Sequence, residues 1–221
     1  MRERIALVIG ATGLVGTQLV RQLCGDERFS RVITLGRRPT GQPCDKLEEH
    51  VVDFGRPEDY RQPLRGDVLF SALGTTLRAA GSKDAQWRVD HDFQLAVAAA
   101  AKENGVDVCV VVSSVGADPG SAFFYPRMKG ALEREVAKLD FPRTRFLRPG
   151  PLDGERSEKR RGEELSLALL RPLGKVLPAK LRPIRAETVA HAAIAASFDE
   201  TPGVKVIAPE QLFVLHPRIR D

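Results

Sequence analysis

The 221-residue chain has little cysteine, few aromatic residues and no long apolar run. Its three cysteines, Cys24, Cys44 and Cys109, are odd in number and widely scattered. That fits neither a disulfide framework nor a zinc knuckle, and they read as reduced structural thiols. Aromatic residues make up 6% of the chain and no stacking pattern accompanies its basic stretch, which disfavours nucleic-acid binding. No hydrophobic run approaches spanning length, and the first strand pattern begins at Ile5, leaving no room for a signal peptide. The expectation is a cytoplasmic protein with no membrane role. No repeat or linker appears, so one domain over residues 1–221 is expected.

What is present begins with a glycine turn. The apolar run Ile5-Ala6-Leu7-Val8-Ile9 is followed by Gly10-Ala11-Thr12-Gly13-Leu14-Val15-Gly16 and then by Gln18, Leu19 and Leu23 at helical spacing. Strand, tight turn and helix follow in order. Gly10 permits a sharp exit from the strand, Gly13 lets the backbone approach a diphosphate, and Gly16 lets the helix pack closely. The diphosphate sits at a helix N-terminus, where unpaired N–H groups and the dipole favour negative charge. Thr12, Leu14 and Val15 belong to the same cradle.

A second strand, Arg31 to Leu35, ends at Gly36-Arg37-Arg38-Pro39. In a dinucleotide fold this point meets the adenosine ribose, where an acidic residue suits NAD and an arginine pair suits the 2′-phosphate of NADP. Arg37 and Arg38 therefore favour NADP, the alternative being a surface turn before a proline. The third strand, Glu49 to Asp53, ends next to Phe54. Asp53 reads equally as an acceptor for the adenine amino group and as a turn-initiating residue. The fourth strand, Asp67 to Leu73, ends in Gly74-Thr75, whose small residues admit a cofactor close to the backbone. A helix is expected from Ala85 to Glu103, with His91 given no role.

After the fifth strand, Val108 to Val112, come Ser113-Ser114 and then Tyr125-Pro126-Arg127-Met128-Lys129. With a helix starting at Pro126, Tyr125 and Lys129 share a face, and the ammonium lowers the phenol pKa toward neutrality. Ser114 can bind the same carbonyl oxygen that Tyr125 protonates. A helix from Ala131 to Leu139 and a strand from Thr144 to Leu147 continue the alternation.

Beyond Gly150 the composition changes. From Arg143 to Arg185 there are twelve Lys/Arg against five Asp/Glu, while the net charge of the whole chain is +5. This reads as a solvated surface or as a basic wall facing an anionic substrate. Residues 151–185 are expected to form the substrate-binding segment, including an apolar helix over Leu165 to Leu177. A helix over Ala186 to Phe198 and a strand over Val204 to Ile207 complete the chain.

Taken together, Gly10, Gly13, Gly16, Ser113-Ser114, YxxxK at Tyr125 and Lys129, and Arg148-Pro149-Gly150 make residues 1–155 resemble the short-chain dehydrogenase/reductase family. The spacing is similar to its atypical extended branch, including oxidoreductases similar to the human Tat-interacting tumour-suppressor protein. The resemblance implies an α/β fold, a Rossmann-like doubly wound parallel sheet with a small C-terminal substrate-binding portion. It implies Ser114 as carbonyl positioner, Tyr125 as proton donor and Lys129 as holder of the nicotinamide ribose. Arg148, Pro149, Gly150 and Leu152 would line the nicotinamide pocket, with Leu73, Gly74 and Thr75 also near the cofactor. One departure is the asparagine that completes the catalytic set in many relatives, since Asn104 lies at the far end of its helix. The expected activity is NADP(H)-dependent oxidation or reduction of a small-molecule carbonyl or alcohol by a monomer or homodimer; the alternative is a non-catalytic NADP(H) sensor.

Overall fold

The computed structural model describes residues 3–153 and 182–214. The helix expected over Leu165 to Leu177, and most of the charged run before it, lie outside the described residues.

The chain forms strands β1 (Arg4–Ile9), β2 (Phe29–Gly36), β3 (Leu47–Val51), β4 (Val68–Ser71), β5 (Val108–Val112) and β6 (Arg143–Leu147). A short parallel pair, β7 (Leu152–Asp153) and β8 (Ile184–Arg185), stands apart, and β9 (Gly203–Ile207) returns to the main sheet. That sheet is parallel throughout, in the order β3-β2-β1-β4-β5-β6-β9. The chain steps outward from β1 in one direction, then from β4 in the other. The boundary between β1 and β4 is therefore the switch point, where parallel sheets of this kind open a crevice for ligands.

Among the described residues the helices are α1 (Leu14–Gly25), α2 (Pro57–Tyr60), α3 (Leu77–Ala80), α4 (Lys83–Trp87), α5 (Phe93–Glu103), α6 (Phe124–Ala137), α7 (Ala186–Ser197) and α8 (Pro209–Val214). Strand periodicity sends Ala6 and Val8 to one side, where they join Leu19, Val20, Val189 and Ala193 of α1 and α7. Leu7 and Ile9 point the other way, toward Val97 and Ala101 of α5 and Leu132 of α6. Both faces of the sheet are thus covered, as a parallel sheet requires.

Several expectations need correction. The helix expected from Ala85 starts at Lys83, with Ser82 Oγ accepting the Ala85 N–H at 3.1 Å, and it is interrupted by a π turn at Arg88–Asp92. At the interruption the Gln94 side-chain amide donates to the Asp90 carbonyl at 2.6 Å, the acceptor that a regular helix would offer to the Gln94 N–H. The helices expected at Pro126 and Ala131 are one helix, α6, which begins two residues before Pro126. Proline in a first turn costs no intrahelical bond.

The cysteine expectation also fails: Cys24 and Cys44 form a disulfide, and only the buried Cys109 is a free thiol. The connection between β2 and β3 brings Cys44 back to the last turn of α1, a proximity that linear spacing does not show. Arg145, counted above in the basic wall, is fully buried in β6. Its guanidinium donates to the carbonyls of Thr144, Gly203, Asp199 and Thr201 and so ties the sheet edge together.

Candidate active site

The glycine turn lies at the switch point, and two of its glycines are there for lack of space. Gly10 has φ +78°, and a Cβ on it would lie 2.4 Å from the backbone of Ala72 and Leu73. A Cβ on Gly16 would lie 2.0 Å from the Gly10 carbonyl oxygen. Gly13 donates to that same oxygen at 2.9 Å and caps α1 with extended backbone and no side-chain bond. The first turn of α1 carries no acidic residue. The Thr12 to Gly16 backbone is thus a narrow cradle ending in helix N–H groups, and it fits a diphosphate. Within it Thr12 and Gly13 are exposed, Leu14 is half-buried, and Val15 anchors the helix in the core.

Around this cradle the expected cofactor residues are distributed along the C-terminal ends of the strands. Arg37 and Arg38 follow β2 and are exposed. Asp53 follows β3 and initiates a turn, its Oδ1 accepting the Gly55 N–H at 2.8 Å. The Phe54 ring is buried against Tyr60 and Phe93, which leaves its backbone for any ligand. Leu73, Gly74 and Thr75 follow β4, beside the Gly10 turn. Pro149 and Gly150 follow β6 and are buried, and Leu152 pairs with Ile184 between β7 and β8.

Helix α6 carries Tyr125 in its first turn and Lys129 and Glu133 at successive intervals of four, so the three share a face. Tyr125 is 40% exposed, while Lys129 is 2% exposed. Ser114 leaves β5 on a loop that packs backbone to backbone against this helix: a Cβ on Gly130 would lie 2.3 Å from Asp118 and Pro119. Among the described residues the half-buried Ser114 hydroxyl makes one long local bond, to the Val115 carbonyl at 3.3 Å. The Val115 N–H donates to the Pro149 carbonyl at 2.9 Å, which locks this loop to the end of β6. The loop that carries Ser114 and the helix that carries Tyr125 and Lys129 are therefore packed neighbours.

Two acidic residues that the sequence reading passed over complete the surroundings. Asp90, 1% exposed, accepts the Thr75 N–H at 2.6 Å from within the π turn. Beside it Gln94 accepts from the Ser71 hydroxyl at 2.7 Å. Glu133 is buried and accepts from Ser113 Oγ and, in a bidentate pair, from Arg148 Nε at 3.0 Å and Nη2 at 2.6 Å. Arg148, expected at the nicotinamide, thus has its guanidinium engaged with Glu133, which raises its pKa. Burial pushes the Lys129 pKa down, and the charges of Asp90 and then Glu133 oppose that shift. The signal for Glu133 was available in the i, i+4 spacing from Lys129. No sequence signal marks the π turn that aims Asp90. His91, given no role, stacks on Trp87 and bonds Asp92, while Asn104 donates to the carbonyls of Arg61 and Leu64 far from this site.

Among the described residues no group of three or more His, Cys, Asp or Glu could hold a metal ion, and no helix is long and apolar enough to cross a membrane.

A doubly wound parallel sheet with a glycine cradle at its switch point defines a dinucleotide-binding protein. The chain belongs to the NAD(P)H-binding family, whose model matches residues 10–163. It is 41% identical over 172 residues to the mitochondrial protein FMP52 of Eremothecium gossypii, spanning 78% of this chain and 76% of that one. It is 36% identical to the mitochondrial protein FMP52-1 of Scheffersomyces stipitis, spanning 97% and 99% of the two chains. Among solved structures it is similar to MoeE5 in complex with UDP-glucose and NAD, at a TM-score of 0.69 and 18% identity over 92% of this chain and 75% of that one. It is also similar to a short-chain dehydrogenase family protein from Francisella tularensis, at a TM-score of 0.68 and 15% identity over 95% and 99% of the chains. These likenesses confirm the Rossmann-like fold expected from the sequence.

The mitochondrial relatives overturn the cytoplasmic expectation and point to mitochondria instead. That expectation rested on excluding a secretory signal and a spanning helix, and neither criterion bears on organelle import.

Proposed function

We propose that this protein is an NADPH-dependent oxidoreductase of the extended short-chain type, acting on the carbonyl or hydroxyl group of a small molecule. The observation that carries the reading is the exposed Tyr125 one helical turn from the buried Lys129, with the loop that follows Ser114 packed against the same helix. Gly10, Gly13 and Gly16 with Thr12, Leu14 and Val15 hold the diphosphate. Arg37 and Arg38 take the 2′-phosphate, and Asp53 and Phe54 flank the adenosine. Leu73, Gly74 and Thr75 on one side, and Pro149, Gly150 and Leu152 on the other, enclose the nicotinamide end, with Arg148 fixing the second group through Glu133.

The bound nucleotide supplies hydride chemistry. In the reductive direction the Ser114 hydroxyl donates to the substrate oxygen and Tyr125 delivers a proton to it. The Lys129 ammonium stabilises the phenolate left behind and holds the nicotinamide ribose. The chain is proposed as one domain over 1–221 with 151–185 as its substrate-binding segment; most of that segment lies outside the described residues, and its basic sequence suits an anionic substrate.

Positioned acid catalysis contributes roughly 10²–10⁴-fold, so Tyr125→Phe is expected to lose that much turnover while keeping its NADPH affinity. The assay is NADPH oxidation across a carbonyl and quinone panel, with nucleotide affinity titrated separately. Wild-type turnover in the variant removes Tyr125 from the mechanism.

A further inference from the structure

The segment between β2 and β3 lies as a strap along α1, and three attachments hold it there. The Gln42 side chain donates to the Thr17 carbonyl at 3.1 Å, Cys44 is bonded to Cys24, and Lys46 Nζ donates to the Asp26 carbonyl at 3.0 Å. Thr17 and Cys24 are two turns apart on one face of α1, and Asp26 caps the helix. Only one attachment is covalent, and side-chain hydrogen bonds to backbone at the surface add little by themselves. The strap begins at Arg37 and Arg38, and α1 begins at the diphosphate cradle. The disulfide thus ties together the two elements assigned to opposite ends of the adenosine half of the nucleotide.

We propose that Cys24–Cys44 is a redox-modification site through which thiol–disulfide exchange sets affinity for the 2′-phosphorylated nucleotide; this rests on the NADPH reading above. Both cysteines are half-buried, within reach of a small thiol, whereas Cys109 is fully enclosed. A thiolate of a small dithiol attacks one sulfur, the S–S bond breaks and a mixed disulfide forms. The reagent's second thiol then displaces the protein. Cys24 and Cys44 gain two electrons and two protons, and the dithiol leaves as a disulfide. A low-molecular-weight disulfide runs the exchange in reverse.

With the bond closed, Arg37 and Arg38 are held ready. With it open, the strap must be reseated each time nucleotide binds. A strap seated about one-tenth of the time weakens apparent affinity about tenfold.

The test uses the full chain, oxidised with glutathione disulfide or reduced with dithiothreitol, together with the Cys24→Ser/Cys44→Ser variant. NADPH and NADH affinities are titrated by nucleotide fluorescence, and amide exchange is followed across residues 37–46. The expected result is NADPH binding about tenfold weaker after reduction, a smaller change for NADH, and faster exchange in the strap. The variant should match the reduced protein whatever the redox reagent. Equal NADPH affinity in both states overturns the proposal, as does an intact mass that retains both thiols after oxidation. Should the variant fail to fold, the two states of the wild-type chain decide. If neither state binds nucleotide, the functional reading has failed; the strap is then judged on exchange, and equal exchange in the two states removes it too.

Discussion

Replacing Glu133 with glutamine removes one negative charge while keeping the shape of the side chain. In the native protein Glu133 receives two bonds from Arg148 and one from Ser113, which joins α6 to the ends of β5 and β6. A glutamine amide can accept through one oxygen only, and its NH₂ group faces a guanidinium that also donates. Removing one member of a buried ion pair costs about 3–5 kcal/mol, but the Arg148 side chain is 30% exposed and regains some hydration. About 2–3 kcal/mol is therefore expected, which for a chain of this size lowers Tm by roughly 4–12 °C. Ser113→Ala, which removes one bond and leaves the ion pair, should cost about 1 kcal/mol. The assay is thermal unfolding of both variants by circular dichroism. The same substitution removes one of the two carboxylates that oppose the lowered Lys129 pKa, so the alkaline limb of nucleotide binding should move to lower pH. A Glu133→Gln protein with the wild-type Tm and binding profile would refute the buried pair and the charge argument together.

Asp90→Asn keeps an oxygen for the Thr75 N–H but removes the carboxylate charge, so it should move the alkaline limb of NADPH binding to lower pH by more than Glu133→Gln does, as a pH series of titrations would show. Gly16→Ala places a methyl 2.0 Å from the Gly10 carbonyl, so it should reduce NADPH affinity by at least about tenfold and lower Tm; a variant that binds normally in the same titration would contradict the cradle. Burial pushes the Cys109 thiol up to about 12 from 9.0, so its contribution to stability is full below pH 9 and is lost as pH rises through 12. In the reduced native protein at pH 8, iodoacetamide should alkylate Cys24 and Cys44 and spare Cys109, and peptide mass spectrometry showing rapid Cys109 modification would count against its enclosure.

Most of the sheet was legible because the central strands β1, β4 and β5 are compact apolar runs buried on both faces, so run length and order carry the topology. Gly10, Gly16, Tyr125 and Lys129 were legible for a related reason: their spacing along one turn or one helix fixes their geometry locally. The residues that reading missed depend on contacts across the fold. Cys44 meets Cys24 only because the chain after β2 returns along α1. Arg145 looked like surface charge, yet the carbonyls of Asp199, Thr201 and Gly203 are brought to it by the edge strand β9. The partner of Arg148, expected in the nicotinamide-pocket turn, is Glu133, which α6 brings to it across the fold.

The same distinction bears on how the site can work. Lys129 is buried beside two carboxylates, and a bidentate guanidinium already balances Glu133. Asp90 is the larger of the two opposing charges and favours the ammonium form, which in the proposed mechanism makes a phenol at Tyr125 useful near neutral pH. Asp90 reaches its position through a π turn, and it also fixes Thr75 at the end of β4 beside the glycine cradle. One irregular turn therefore couples the charge state of the lysine to the backbone that borders the glycine cradle. Straightening α4 and α5 into a regular helix would change the aim of Asp90 and loosen both at once.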